Sequence, residues 1–368
     1  MQAIDIVSKK MMVVGDGVIY NVSEIIRLSA GKKIQGEYVY LSDVESVNTD
    51  TLLCFNTYDG FSMKMLLRDI FHMNIVITAS SDEFASVLQR RSDGIASGNC
   101  FPGAKDKYLL LNDLCAKFNV RPSEVIYVDD YLDGERDLLR SVGIVISRDI
   151  SNYAEHANCE LVEIRDPHCG VVRDFTNEYL DGLSEVLEFY NRTKRWKAAT
   201  DFEIKSERKA IKVLALDVDG TCTDAMRILS VNGVEYKRFN IKDIEALMQW
   251  ISMGNLVFFI TGDPGCIAKN FARYIGLDDS VVFAEVMDRK VQIINELCKK
   301  NGFSLGEVAY MGDDVNDLGV LEHVAEQNGI SACPVNAIPL AKNCPGVVRL
   351  KAHGGDGAIA EFISMLVC

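Results

Sequence analysis

Three pairs of residues, Thr78 and Thr261, Lys107 and Lys290, and Asp130 and Asp313, each stand 183 positions apart. Longer stretches keep the same spacing. DKYLLLNDLC (106–115) reads against RKVQIINELC (289–298), EVIYVDD (124–130) against EVAYMGDD (307–314), and NIVIT (74–78) against VFFIT (257–261). GVVRDF (170–175) and GAIAEF (357–362) extend the likeness. Self-similarity of this length predicts two tandem domains of one plan, and 368 residues leave room for both.

The plan is the same in each half. In the second half, apolar runs at 213–218, 256–260, 281–286, 307–311 and 346–350 alternate with helical patterns. Ile244, Leu247, Met248 and Ile251 form one such stripe, and Val291, Ile294, Leu297 and Cys298 another. The first half has runs at 11–14, 74–78, 124–128 and 144–147. Continuous apolar strands between helices predict an α/β fold: two Rossmann-like, doubly wound parallel sheets with ligands beyond the strands' carboxyl ends. The domains expected are 1–190, a polar, basic linker at 191–210, and 211–368. Asp16 precedes Asp219 by 203 positions, so the first half carries 20 extra residues within 19–55.

Composition narrows the function classes. Hydrophobic residues make up 48% and charged ones 25%, enough for real cores. A net charge of −14 repels nucleic acid and anionic membranes. No apolar run reaches spanning length, and MQAIDIVSKK has no signal pattern. Eleven cysteines without a C-x-x-C, and five histidines without close pairs, argue against structural zinc. They suit buried thiols in a reducing cytoplasm.

DVDGT supplies Asp217 and Asp219 at the end of one apolar strand, and GDDVND supplies Asp313, Asp314 and Asp317 after another. Three carboxylates about 4 Å apart repel by roughly 4 kcal/mol per pair at an effective dielectric of 20. Such a cluster takes up protons or binds a cation, and oxygen ligands alone favour Mg²⁺. Taken singly, Asp219, Asp314 and Asp317 also suit turns or helix caps. Thr261 and Gly262 end a strand at the same sheet edge, Pro264 is placed to start a helix, and Lys290 opens another. A hydroxyl, an open backbone N–H and an ammonium there suit a phosphoryl group.

DVDGT, a strand-end Thr, a Lys and GDDxxD, in that order, resemble the motif series of the haloacid dehalogenase superfamily. DVDGTCTDAMRILSVNGVEYKRFNIKD and the tail HGGDGAIAEF are similar to its capless subclass, which includes 3-deoxy-D-manno-octulosonate 8-phosphate phosphatase and nonulosonate 9-phosphate phosphatases. The resemblance covers about 211–368. It implies a β-hairpin flap, here turning at Asn232-Gly233, and no large cap domain. Asp217 would be the nucleophile forming an aspartyl-phosphate, and Asp219 the acid and base. Asp217, the Asp219 carbonyl and Asp313 would hold Mg²⁺, with Asp314 or Asp317 behind them. Thr261, Gly262 and Lys290 would bind the phosphoryl oxygens. Three arginines usual in the subclass are replaced by Asp263, Asp356 and Ala360, and a usual glycine by Ile244. Losing those forks weakens capture of a substrate carboxylate.

In the first half, MMVVGDG (11–17) aligns Asp16 with Asp219 and puts Val14 where Asp217 stands. Asp129 meets Gly312, Tyr131 meets Asp314, Ala79 meets Gly262, while Thr78, Lys107 and Asp130 persist. That half is expected to be silent and to shield the second half's site in place of a neighbouring subunit. The chain thus reads as a Mg²⁺-dependent phosphatase of a small phosphosugar or sugar-acid phosphate, cytoplasmic and a homo-oligomer. A non-catalytic scaffold of two such domains is the alternative. A phosphomutase lacks room for a cap between Asp219 and Thr261.

Overall fold

The computed structural model describes residues 9–14, 26–29, 33–35, 38–42, 49–66, 76–79, 85–95, 99–129, 136–148, 150, 153, 157–164, 170–179 and 210–367. The chain divides into two compact units. One gathers Met1–Arg27, Asp50–Asp181 and Ile228–Gly233, the other Leu28–Thr49, Gly182–Arg227 and Val234–Cys368. A stretch of the first half's insertion therefore groups with the second half. The expected linker lies outside the described residues except for residue 210.

In the second unit a parallel sheet runs in the order Val282–Phe283, Leu256–Ile260, Val213–Leu216, Val308–Met311, Ile330–Cys333, Val347–Arg349. Val213–Leu216 is central and wholly buried, as an uninterrupted apolar strand must be when both faces are covered. It ends two residues earlier than its apolar run, yet the Asp217 N–H still donates to the Met311 carbonyl at 3.0 Å. Asp217 thus leaves the sheet at its carboxyl edge. The strand expected over 281–286 shrinks to Val282–Phe283, and Ile330–Cys333 is a strand the apolar pattern did not mark.

Asn240 caps the helix Ile241–Ser252, its side chain accepting from the Lys242 N–H. Ile244 and Leu247 point into the core as their spacing predicts, but Met248 is 50% exposed. Trp250 fills the core instead and donates its indole N–H to the Leu256 carbonyl. Phe239 stacks on Phe271 at 4.0 Å between ring centres, and Phe259 meets Phe271 edge-on at 5.4 Å. Such pairs add about 0.5–1.5 kcal/mol each beyond area burial. The hairpin turn is wider than the expected two-residue loop. The Gly233 N–H bonds to the Ser230 carbonyl, and Gly233 itself takes the left-handed backbone (φ +88°) before Glu235–Asn240 begins.

Two strands from the first half's insertion complete this unit. Tyr38–Ser42 pairs antiparallel with Glu235–Asn240, setting Leu41 opposite Lys237 and Val39 opposite Phe239. Lys33–Gln35 pairs on its far side. Leu41 is buried in the same core as Phe239 and Phe271.

The first unit's parallel sheet runs Asn99–Pro102, Val76–Ala79, Met11–Val14, Val125–Val128, Ile144–Ser147, Glu160–Glu163. Strand for strand, this is the order of the second sheet. A helix-to-helix clamp also recurs. Asp59 accepts the Arg173 N–H at 2.9 Å, and Asp243 accepts the N–H groups of Gly357 and Ala360 at 3.1 and 2.8 Å. Burial pushes both carboxyls up, Asp59 to about 7 and Asp243 to about 6. Among the described residues no helix is long and apolar enough to cross a membrane.

Candidate active site

Four buried groups meet where Val213–Leu216 and Val308–Met311 end. One oxygen each from Asp217, Asp313 and Asp317 lies within 4.8 Å of the others. Lys290, at the start of the helix Lys290–Asn301 and 1% exposed, donates to Asp217 Oδ1 at 2.5 Å and Asp317 Oδ1 at 2.7 Å. Three carboxylates against one ammonium leave an excess of two negative charges in a dry site. Burial, with Asp317 and Asp219 adding and Lys290 opposing, pushes Asp217 up to about 8. An all-oxygen donor set with this charge deficit fits a divalent cation of the Mg²⁺ kind.

Asp317 is tied in more deeply than a helix cap requires. Its Oδ2 accepts the N–H groups of Asp313 and Asp314 at 2.9 and 3.1 Å, and its Oδ1 accepts the Tyr310 hydroxyl. A Cβ on Gly312 would stand 2.3 Å from the Asp317 Cγ, so only glycine lets this carboxylate fold over the strand end. Asp313 is held by the Thr221 hydroxyl at 2.7 Å. The Asp314 carboxylate instead caps its own turn through the Val315 N–H.

Asp219 is set apart from that cluster. Its Oδ2 accepts from Lys237 Nζ at 2.7 Å, and its Oδ1 is buried with no hydrogen-bond partner among the described residues. Burial pushes its carboxyl to about 7, the Lys237 ammonium opposing and the Asp263 carboxylate adding. Lys237, 3% exposed, also bonds Asp263. Its alternating strand, EYKRFN, gave no sign of this role; a lysine there reads as a solvated residue. Thr261 is buried at its strand end, where its hydroxyl accepts the Asp263 N–H at 3.1 Å. Gly262 follows it against Met287 Sδ. The next helix begins at Cys266, not Pro264, because Gly265 takes the cap position with φ +82°. Cys266, expected among the buried thiols, is exposed.

No family model matches the chain. It is 28% identical over 166 residues to 3-deoxy-D-manno-octulosonate 8-phosphate phosphatase of Escherichia coli BL21, covering 45% of this chain and 84% of that protein. Against the Salmonella typhi enzyme of the same name, identity is 29% over 164 residues, 45% of this chain and 83% of the other. Half of this chain resembles a capless haloacid dehalogenase phosphatase. Among solved structures, the Moraxella catarrhalis 3-deoxy-D-manno-octulosonate 8-phosphate phosphatase, in complex with magnesium, phosphate and KDO, matches with TM-score 0.40 and 26% identity over 49% of this chain and 90% of that one.

Seen as the phosphatase-like half, 211–368 brings Asp217, Asp313 and Lys290 together and places Asp219 and Thr261 in contact with one acid, Asp263, directly or through Lys237. The first half differs. Lys107 Nζ and the Tyr127 hydroxyl both bond Asp129 Oδ2, at 2.6 and 2.8 Å, as Lys290 and Tyr310 bond Asp317. The acid thus rises from the strand end itself, where the second half has Gly312. Val14 is buried. Beside Val76–Ala79 it keeps the place of Asp217, whereas beside Val125–Val128 its register is that of Leu216. It has no carboxylate. Gly15, Asp16, Gly17, Asp130 and Tyr131 lie outside the described residues.

Proposed function

We propose that 211–368 is a Mg²⁺-dependent phosphomonoester hydrolase acting on a small phosphorylated metabolite of the phosphosugar kind. The observation that carries this reading is the buried group Asp217, Asp313 and Asp317 around Lys290 at the carboxyl edge of the sheet. The relatives' names point the same way.

Asp217 attacks phosphorus and becomes an aspartyl-phosphate while the P–O bond to the leaving alcohol breaks. Asp219 gives that alcohol its proton, then takes one from the water that hydrolyses the acyl phosphate. Its carboxyl, near 7, suits both halves of the cycle. Lys290 neutralises the transferring group, while the Thr261 hydroxyl and Gly262 N–H orient its oxygens. Mg²⁺ would be held by Asp217, the Asp219 carbonyl and Asp313, with Asp317 within reach, and supplies charge neutralisation to the phosphoryl oxygens. A non-catalytic scaffold has no use for so costly a patch.

We read the first half as a duplicated domain without turnover. The shared strand order, the repeated Asp59 and Asp243 clamp and the 183-residue spacing support duplication. Asp129 on Lys107, and the want of an acid at residues 14 and 15, support silence. Tyr38–Ser42 on Glu235–Asn240 supports its part as a cover for the active half.

Hydrolysis of a panel of sugar phosphates with and without Mg²⁺ tests the reading. Wild type is expected to release phosphate only with the metal, and Asp217→Asn to lose at least 10³-fold in kcat, because the nucleophile is gone. Equal turnover by Asp217→Asn would remove it.

A further inference from the structure

Beside Asp219 lies a cavity of about 100 Å³, and the charged side chains that line it are paired. Arg227 meets Glu235 at 2.7 Å, and Lys237 meets both Asp219 and Asp263. Each cation already has an acid, Arg227 holding Glu235 and Lys237 holding Asp263 as well as Asp219. Asp263 stands at the outer side, its side chain 43% exposed, whereas the Lys237 side chain is 4% exposed. A leaving group held over Asp219 therefore meets a carboxylate first.

We infer that this cavity selects phosphomonoesters whose leaving group carries hydroxyls or an amine and no carboxylate, with Asp263 as the specificity-determining residue. The inference rests on the phosphatase reading and narrows it. A substrate carboxylate placed here would have to share Lys237 or Arg227 with the acid each already holds, and it would add a further negative charge beside Asp263 and Glu235. Hydroxyls can donate to Asp263 and Glu235, and an ammonium gains a charge-assisted bond. The relatives' names carry the opposite chemistry, since an octulosonate is a sugar acid. Specificity here would come from repulsion as much as attraction.

Two esters that differ at one carbon test this: sorbitol 6-phosphate, ending in CH₂OH, and 6-phosphogluconate, ending in a carboxylate. Full-length wild type with Mg²⁺ is expected to show kcat/KM at least tenfold higher for the polyol ester. Asp263→Asn is expected to shrink that ratio at least threefold, chiefly through a lower KM for 6-phosphogluconate. Glu235→Gln should move the ratio the same way if Asp263→Asn fails to fold. A wild-type preference for 6-phosphogluconate, or a ratio unmoved by the folded variants, overturns the inference and leaves the phosphatase standing. No hydrolysis of either ester, or of p-nitrophenyl phosphate, fells both.

Discussion

Asp219 and Lys237 show how much one ammonium can decide. With its carboxyl near 7, Asp219 keeps the proton it must donate below that pH and loses it above. In the proposed reaction, at saturating Mg²⁺ that would keep Asp217 ionised, kcat/KM therefore falls as pH rises through about 7, approaching tenfold per pH unit. Lys237 favours the ionised form, so Lys237→Met should raise the Asp219 pKa and carry the alkaline limb to higher pH. A pH–rate profile of both proteins checks this; a limb that stays in place would deny the link. That Asp217, Thr261, Lys290 and Asp313 stand at the ends of strands or the start of a helix was legible in the sequence, because the apolar pattern of each element fixes where it starts or stops. The place of Lys237 was not. Its burial is set by two acids, 18 residues before it and 26 after it, that only the fold brings near. Asp317 was legible as an acid but not as a buried anchor, since that depends on the missing side chain of Gly312.

At the scale of elements, central strands were the legible part. Met11–Val14, Leu256–Ile260 and Ile144–Ser147 match their apolar runs residue for residue. Ile330–Cys333 escaped because its Ser331 breaks the run; the hydroxyl is paid for by the Leu321 carbonyl at 2.7 Å. Met248 escaped for another reason: four apolar positions on one helix exceed what its neighbours cover, and Trp250 takes the volume. The pairing of Tyr38–Ser42 with Glu235–Asn240 has no local signal at all, because register between distant strands is set by burial. It predicts a long-range effect. Leu41→Ala opens a void beside Phe239 and should cost about 2–4 kcal/mol of the second unit's stability. Denaturant unfolding followed through Trp250 fluorescence, with Trp196 replaced by Phe, reads that loss. An unchanged midpoint would place Leu41 outside this core.

For the molecule as a whole, the two halves are not separable at the sequence boundary. Deleting residues 1–200 removes Lys33–Gln35 and Tyr38–Ser42 and bares the edge of Glu235–Asn240, which carries Lys237. The truncated protein is expected to lose at least tenfold in kcat/KM or to self-associate through that edge. Size-exclusion chromatography beside phosphatase assays reads both, and a fully active, unassociated fragment would show the cover dispensable. The doubled sheet order was foreseeable from the repeated landmarks. A cover from the first half was expected, but not the pairing of Tyr38–Ser42 with Glu235–Asn240, since 19–55 holds no motif.

Tyr38–Ser42 also leaves the ribosome long before its partner. At about 5–20 residues per second, the nearly 200 residues up to Glu235 take on the order of 10–40 seconds to appear. Throughout synthesis an unmated β ribbon must wait in crowded surroundings, open to the wrong neighbours. Slow translation across the middle of the message would lengthen that exposure, so the yield of sound protein should depend on chaperone supply more than its final stability suggests.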